Sequence, residues 1–171
     1  MTYPIQPRIT IKWGAREDPS MKYEIKDRLE RYCLFSAEAD SFKEVVELAL
    51  KRRVSLFGAD LSRVDLSGVN LSRADLRKAD FSEANLSGGN LYGANLSRAD
   101  LSGADLSKAN CYAADLSGAD LSNARLFKCD LSGSDLSGAN LSGADVSEAD
   151  MLGAHLRDCV LSRSPARMSV G

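Results

Sequence analysis

The run Ala99-Asp100-Leu101-Ser102-Gly103, Ala104-Asp105-Leu106-Ser107-Lys108, Ala109-Asn110-Cys111-Tyr112-Ala113 decides the fold, because one five-residue phrase recurs there with no insertion. Followed in both directions, the phrase holds from Val54 to Arg163. Let i be its central apolar residue. Position i falls at Leu56, Leu61, Leu66 and every fifth residue to Leu161, and only Phe81, Cys111, Val146 and Met151 are not Leu. Position i−2 is small, mostly Ala, with Val54, Val64, Val69, Gly89, Cys129, Ser134 and Cys159 as variants. Position i−1 is Asp or Asn except at Ser55, Arg125, His155 and Val160.

A period of five fits neither a helix, near 3.6 residues, nor a strand, at 2.0. On a straight helix such a stripe spirals round the axis. Residues i and i−2 share strand parity, so both face inward while i−1, i+1 and i+2 face solvent. A turn must then restart the parity after every few residues, and Asp, Asn, Ser and Gly fill the positions where turns are built. The consistent solution is a coil with short walls and frequent corners.

The phrase, a small residue, then Asp or Asn, then Leu or Phe, then Ser or another polar residue, then any residue, resembles the pentapeptide-repeat family. The likeness covers about two thirds of the chain. It implies an all-β solenoid, a right-handed quadrilateral β-helix with about twenty residues in each four-unit coil. The frame then makes roughly five and a half coils and a rod on the order of 25 Å long, at the usual strand spacing of about 4.8 Å. Members of this family share architecture far more than activity.

Before the repeats the sequence divides into an extension, residues 1–20, and an α+β cap, residues 21–53. In the extension Ile9, Ile11 and Trp13 alternate with Thr10 and Lys12, as in a short strand. In the cap, Tyr23, Ile25 and Asp27 share a strand face, and a second apolar run at Tyr32 to Phe35 makes a hairpin turning near Arg28 to Arg31. Ser41-Phe42-Lys43-Glu44 matches the capping box that opens a helix. Phe42, Val45, Val46, Ala49 and Leu50 then form an apolar stripe, and Lys51-Arg52-Arg53 complements the dipole at its end. The direct join to Val54 sets this helix over the open end of the first coil. Solenoid ends need cover, since bare strand edges invite aggregation. Such a hairpin-helix lead-in resembles bacterial and phage members of the family. After the solenoid, residues 54–163, comes a short tail, residues 164–171.

The net charge of −2 conceals a division: residues 1–53 are slightly basic, and the repeats carry about five more acids than bases. No run of eighteen apolar residues implies a membrane span. The N-terminus has no signal-peptide h-region, and a cytoplasmic location is the expectation. Cys33, Cys111, Cys129 and Cys159 match no zinc or redox spacing. The last three sit at inward positions, and Cys111 and Cys129 fall on one wall in adjacent coils, where reduced core thiols are expected.

No catalytic constellation is present: the one His, His155, lies in the degenerate last coil, and no Gly-rich phosphate loop follows a strand. No enzyme activity, metal or cofactor is expected, and no direct binding of nucleic acid. Three surfaces remain. Residues twenty apart stack, so Asp60, Asp80, Asp100 and Asp120 form a column that continues at Asn140, and Asn70, Asn90 and Asn110 form another. The acidic column reads either as turn chemistry or as a row of charge imitating phosphates. Some relatives in the family resemble DNA in that way and act on type II topoisomerases, but they carry more Phe at i and projecting loops. Tyr92 and Tyr112 stack at i+1, as a contact patch or as a stiffening pair. Met151, Leu152, Leu156, Val160 and Leu161 offer an end for isologous pairing into a homodimer. The expected function is a rigid, non-enzymatic protein-interaction module. The alternative is a DNA-mimicking modulator of a DNA-binding enzyme such as gyrase, by inhibition, protection or phage counter-defence.

Overall fold

In the computed structural model, which describes residues 21–29 and 32–162, backbone contacts recur every twenty residues. Seventeen parallel bridges run from Asp60↔Asp80 to Asn140↔Val160, each joining residues i−1 of consecutive coils. Three hydrogen bonds per unit make the ladder. The amide at i donates to the i−1 carbonyl of the next coil, as Leu101 does to Asp120 at 2.7 Å. The i+2 amide donates to the i+1 carbonyl of the next coil, as Gly103 does to Ser122 at 2.8 Å. The i−1 amide reaches back to the i−2 carbonyl of the coil before, as Asp120 does to Ala99 at 3.0 Å.

A fourth bond closes nearly every corner, and Ala104 N–H to Leu101 C=O at 3.0 Å is typical. The third residue of every such turn, from Gly58 to Asp158, has positive φ, the condition a type II turn imposes. Ten of these residues are Gly and eleven are not, so the ladder holds many ordinary side chains in a backbone region costing about 1–2 kcal/mol each.

The expected parity is what the chain adopts. Position i is buried from Leu56 to Leu141 and position i−2 from Ala59 to Ala139. Ser134, the one polar residue buried among the described residues, donates its hydroxyl to Leu131 C=O at 2.6 Å. All four cysteines are free, with Cys111 and Cys129 wholly buried and Cys33 exposed. The thiol of Cys129, and then burial, push the Cys111 thiol well above its ordinary pKa, so it stays protonated. Cys159 donates to Leu136 C=O at 2.8 Å.

The cap is a hairpin and a helix. Strands β1 (Met21–Asp27) and β2 (Cys33–Ala39) pair antiparallel, with Asp27 N–H donating to Tyr32 C=O at 3.0 Å across the turn. Helix α1 (Phe42–Lys51) follows, and β1 also pairs with β3 (Ala59–Asp60) of the first coil, so the hairpin continues one wall outward. Ser41 caps α1 by accepting from Glu44 N–H at 3.2 Å. The Glu44 carboxylate reaches one residue further back than a standard capping box, to Asp40 N–H at 3.0 Å. Val45, Val46 and Ala49 bury the expected stripe together with Ile25.

Two polar side chains of α1 replace a missing coil. Asn90 N–H has the Val69 carbonyl of the preceding coil at 2.8 Å, but Asn70 in the first coil has no such carbonyl and donates to Glu47 Oε1 at 3.0 Å. Ser67 C=O likewise has no amide before it and accepts from Lys43 Nζ at 3.0 Å. Lys43 and Glu47 stand four apart, on one helix face. At the other end the core opens among the described residues: Met151 is half-buried, and Leu152, Leu156, Val160 and Leu161 are exposed, Leu152 at 80%. The strand expected at Ile9 to Trp13 and the tail, 164–171, lie outside the described residues, and no helix described is long and apolar enough to cross a membrane.

One outward residue departs from expectation. Ser107, at i+1, is half-buried, and its hydroxyl oxygen is covered and has no hydrogen-bond partner. Its column continues to Phe127, a bulky ring where most i+1 residues are Ser. Ser107→Ala should therefore leave thermal stability unchanged or raise it slightly, since an unbonded covered hydroxyl is removed. Leu106→Asp, one residue away, should cost several kcal/mol, because it buries a charge with no partner. Equal melting temperatures for the two variants would contradict the register.

Candidate functional site

The Asp column forms as the register requires, bridged Asp60↔Asp80, Asp80↔Asp100, Asp100↔Asp120 and Asp120↔Asn140. Each carboxylate already has a structural task. Oδ1 of Asp100 accepts from Ser102 N–H at 3.0 Å and from the Ser102 hydroxyl at 2.6 Å, and Asp60 does the same with Ser62. Asp80 and Asp120 accept from Ser82 and Ser122 N–H, both at 2.9 Å. This is an Asx turn, the local bond by which Asp and Asn start corners. One oxygen of each carboxylate is committed to it. Beside the column, Arg63 and Glu83 form an ion pair at 3.1 Å at i+2.

Single Asn rungs join residues of consecutive coils. Asn90 donates to Asn70 Oδ1 at 3.4 Å, while Asn85 to Asp65 at 3.0 Å and Asn140 to Asp120 at 3.1 Å are shorter. An Asn placed over an Asp supplies N–H donors to a carboxylate, a charge-assisted bond, and removes one like-charge contact.

Tyr92 and Tyr112 lie face to face, ring centres 5.7 Å apart and planes 6° from parallel. They are 37% and 45% exposed. The Arg73 guanidinium lies 5.6 Å from the Tyr92 ring centre, lengthening the stack to three flat groups. The i+2 place of Arg73, one coil before Tyr92, is the sequence signal that joins them. Ser72 and Ser132 bound the tyrosines in the i+1 column, and Gly93, Ala113 and Gly133 lie beside them at i+2. The wall is thus a raised aromatic ridge with a low flank. A second cluster, not evident from the sequence, gathers Arg77 and Lys78 around Phe57.

His155 is exposed and stacks on Asp135 through the backbone bridge. Among the described residues no three His, Cys, Asp or Glu side chains are grouped to hold a metal ion.

Asx bonding sets a pH response. The Ser67 amide and then its hydroxyl hold the Asp65 carboxyl below its ordinary pKa, and the Arg77 guanidinium does so for Asp75. The hydroxyl and then the amide of Ser137 and Ser147 lower Asp135 and Asp145 in the same way. A carboxyl whose folded pKa is depressed adds stability that is complete above its unfolded pKa and is lost as pH falls through the folded value. The melting temperature should be level from pH 8 to 5 and fall below about pH 4. A rise on acidification would mean that relief of Asp–Asp repulsion outweighs the lost turn bonds.

Comparison with known proteins agrees with this geometry. The family profile described as pentapeptide repeats matches residues 55–93, 90–123 and 124–163, as eight copies. Among solved structures, a pentapeptide repeat protein (Rfr23) from the cyanobacterium Cyanothece 51142 is 28% identical, covers 60% of this chain and 84% of its own, and superposes with a TM-score of 0.58. Another, from Nostoc PCC 7120, is 32% identical over 67% of this chain and 94% of its own, with a TM-score of 0.53. QnrB1, a plasmid-mediated fluoroquinolone resistance protein, is 20% identical over 56% of this chain and 78% of its own with a TM-score of 0.22, too distant to carry a functional argument. No curated protein sequence matches. With its matched repeats spanning well over half of its length, the chain belongs to the pentapeptide-repeat family and folds as that family's right-handed quadrilateral β-helix.

Proposed function

We propose that the protein is a rigid, non-enzymatic interaction module that presents the Tyr92–Tyr112 wall to a protein partner. Preorganisation is the observation that carries this reading. The two rings are stacked and partly exposed before any partner arrives, on a backbone bonded to coils on both sides. Large aromatic area whose side chains need no ordering is what an interface hot spot uses. Tyr92→Ser/Tyr112→Ser tests it cleanly, because Ser72 and Ser132 already occupy this column and the fold accommodates Ser there. With the unmodified protein as bait in an extract of its source cell, a partner should be retained that the variant releases. Affinity for that partner should fall by about 2 kcal/mol or more. Equal retention of every partner by the two baits would remove this wall from consideration.

A second reading follows the Asp60, Asp80, Asp100 and Asp120 column, whose carboxylates are repeated at one-coil spacing. It makes the protein a DNA-mimicking modulator of a DNA-binding enzyme such as gyrase, whose basic groove would meet the row. Asp80→Asn/Asp100→Asn/Asp120→Asn keeps the Asx bonds and removes the charge. Supercoiling by a bacterial gyrase at two salt concentrations then separates the readings. Inhibition or protection lost with the charge supports mimicry, and unchanged supercoiling with both proteins removes gyrase. The committed Oδ1 atoms favour the aromatic wall.

We further propose that Met151, Leu152, Leu156, Val160 and Leu161 pair isologously between two copies, which would cover the open last coil. Light scattering should give a dimer for the protein and a monomer for Leu156→Lys; a monomeric unmodified protein at high concentration overturns the pairing.

A further inference from the structure

The wall built on Leu56, Leu76, Leu96 and Leu116, a different one from that of Tyr92 and Tyr112, carries a hollow of about 350 Å³ lined by Phe57, Arg77, Lys78, Ser97, Arg98 and Ser117. Its charge pattern differs from that of two other columns of the rod. Stacked i+2 residues pair opposite signs at Arg63–Glu83, 3.1 Å, and Lys128–Glu148, 3.3 Å. Lys78 and Arg98 stack two cations, and among the described residues neither has an ion-pair partner.

Neighbouring groups hold these cations in place. The Arg77 guanidinium and the Lys78 ammonium each lie 5.5 Å from the ring centre of Phe57, which is 41% exposed. Arg28, in the turn after β1, donates Nη1–H to the Lys78 carbonyl at 3.1 Å, and its other N–H donors stay available beside the cluster. Arg98 leans toward the next coil, since a Cβ built on Gly118 would stand 3.6 Å from Arg98 Cγ.

The bordering carboxylates are engaged by other groups. Asp75 is taken by Arg77 in a two-pronged pair at 2.7 and 2.8 Å. Asp115 accepts from the Ser117 amide and hydroxyl through Oδ1. Asp27 lies on the hairpin side, with Oδ2 3.1 Å from where a Gly58 Cβ would be. Lys78 and Arg98 therefore line the hollow with two cationic heads from separate coils, and Arg28 is tied to the Lys78 carbonyl beside them.

We propose that this hollow is a binding site for a phosphoryl group. One guanidinium matches one carboxylate, as Arg77 does Asp75. The heads of Lys78 and Arg98, from different coils and with Arg28 beside them, match a tetrahedral anion with more than one charge and oxygens on several sides. That chemistry reaches the site either as a free polyphosphate anion or as a phosphorylated side chain. The site does not depend on the aromatic wall.

Calorimetric titration at fixed ionic strength tests it, with inorganic pyrophosphate, a phosphoserine peptide and the same peptide unphosphorylated as titrants. Pyrophosphate should bind saturably. Lys78→Ala/Arg98→Ala should weaken it by about tenfold or more, while Lys108→Ala, which removes a like charge from another wall, should change it less than about twofold. Arg98→Gln alone, which keeps the stem over Gly118, should weaken binding about threefold and guards against a double variant that folds poorly. Tighter binding of the phosphopeptide than of pyrophosphate, with none of its unphosphorylated form, assigns the source to a modified protein; the reverse order assigns a free anion. No saturation by pyrophosphate below about 10 mM, or equal losses for Lys108→Ala and the double variant, overturns the proposal.

Discussion

The structure depends on the backbone hydrogen bond between residues nineteen or twenty-one apart, repeated around every coil. A pentapeptide has no regular bonds of its own beyond a single turn, and one coil's inward leucines do not offset the entropy of ordering its residues. Only stacking supplies both partners for the amides and a continuous apolar axis. That requirement explains why the phrase tolerates no insertion: one added residue would send every later Leu outward and move its amide off its acceptor. It also explains how eleven non-glycine residues are held at positive φ, a local strain that the surrounding ladder overrides.

A ladder of this kind has two unfinished ends, and the protein treats them differently. At the first coil β1 extends one wall, and Lys43 and Glu47 of α1 stand in for the absent amide and carbonyl. Buried Val45, Val46 and Ala49 cover the core beneath. At the last coil the side chains from Val146 onward lose their cover among the described residues. The outer surface is then divided by wall: carboxylates committed to corners, an aromatic ridge, and a cationic hollow next to the cap. None of these requires the backbone to move, so any partner meets a surface already formed.

Much of this was legible in the sequence, because a strict period turns register into arithmetic. Leu at i and Ala at i−2 name the core, the offset of twenty names the columns, and Ser41 with Glu44 marks the start of α1. The less legible parts depend on side-chain reach. Glu44 bonds one residue beyond the standard box, and Lys43 and Glu47 look like ordinary solvent-facing charges until their neighbours are known. Ser107 reads as one of many outward serines, yet its hydroxyl is covered. Asp100 reads as surface charge, whereas half its carboxylate belongs to the corner that Ser102 completes. The grouping of Arg28 with Lys78 and Arg98 required knowing that β1 docks on β3, a long-range contact that no local pattern encodes.

The register itself is open to direct observation. Scalar couplings transmitted through hydrogen bonds, measured by NMR on labelled protein, should link Leu101 N to the Asp120 carbonyl carbon and Asp120 N to that of Ala99. The same pair of offsets should recur in every inner coil. Couplings at any other offset, or none between residues this far apart in sequence, would contradict the ladder on which the fold and its surfaces rest.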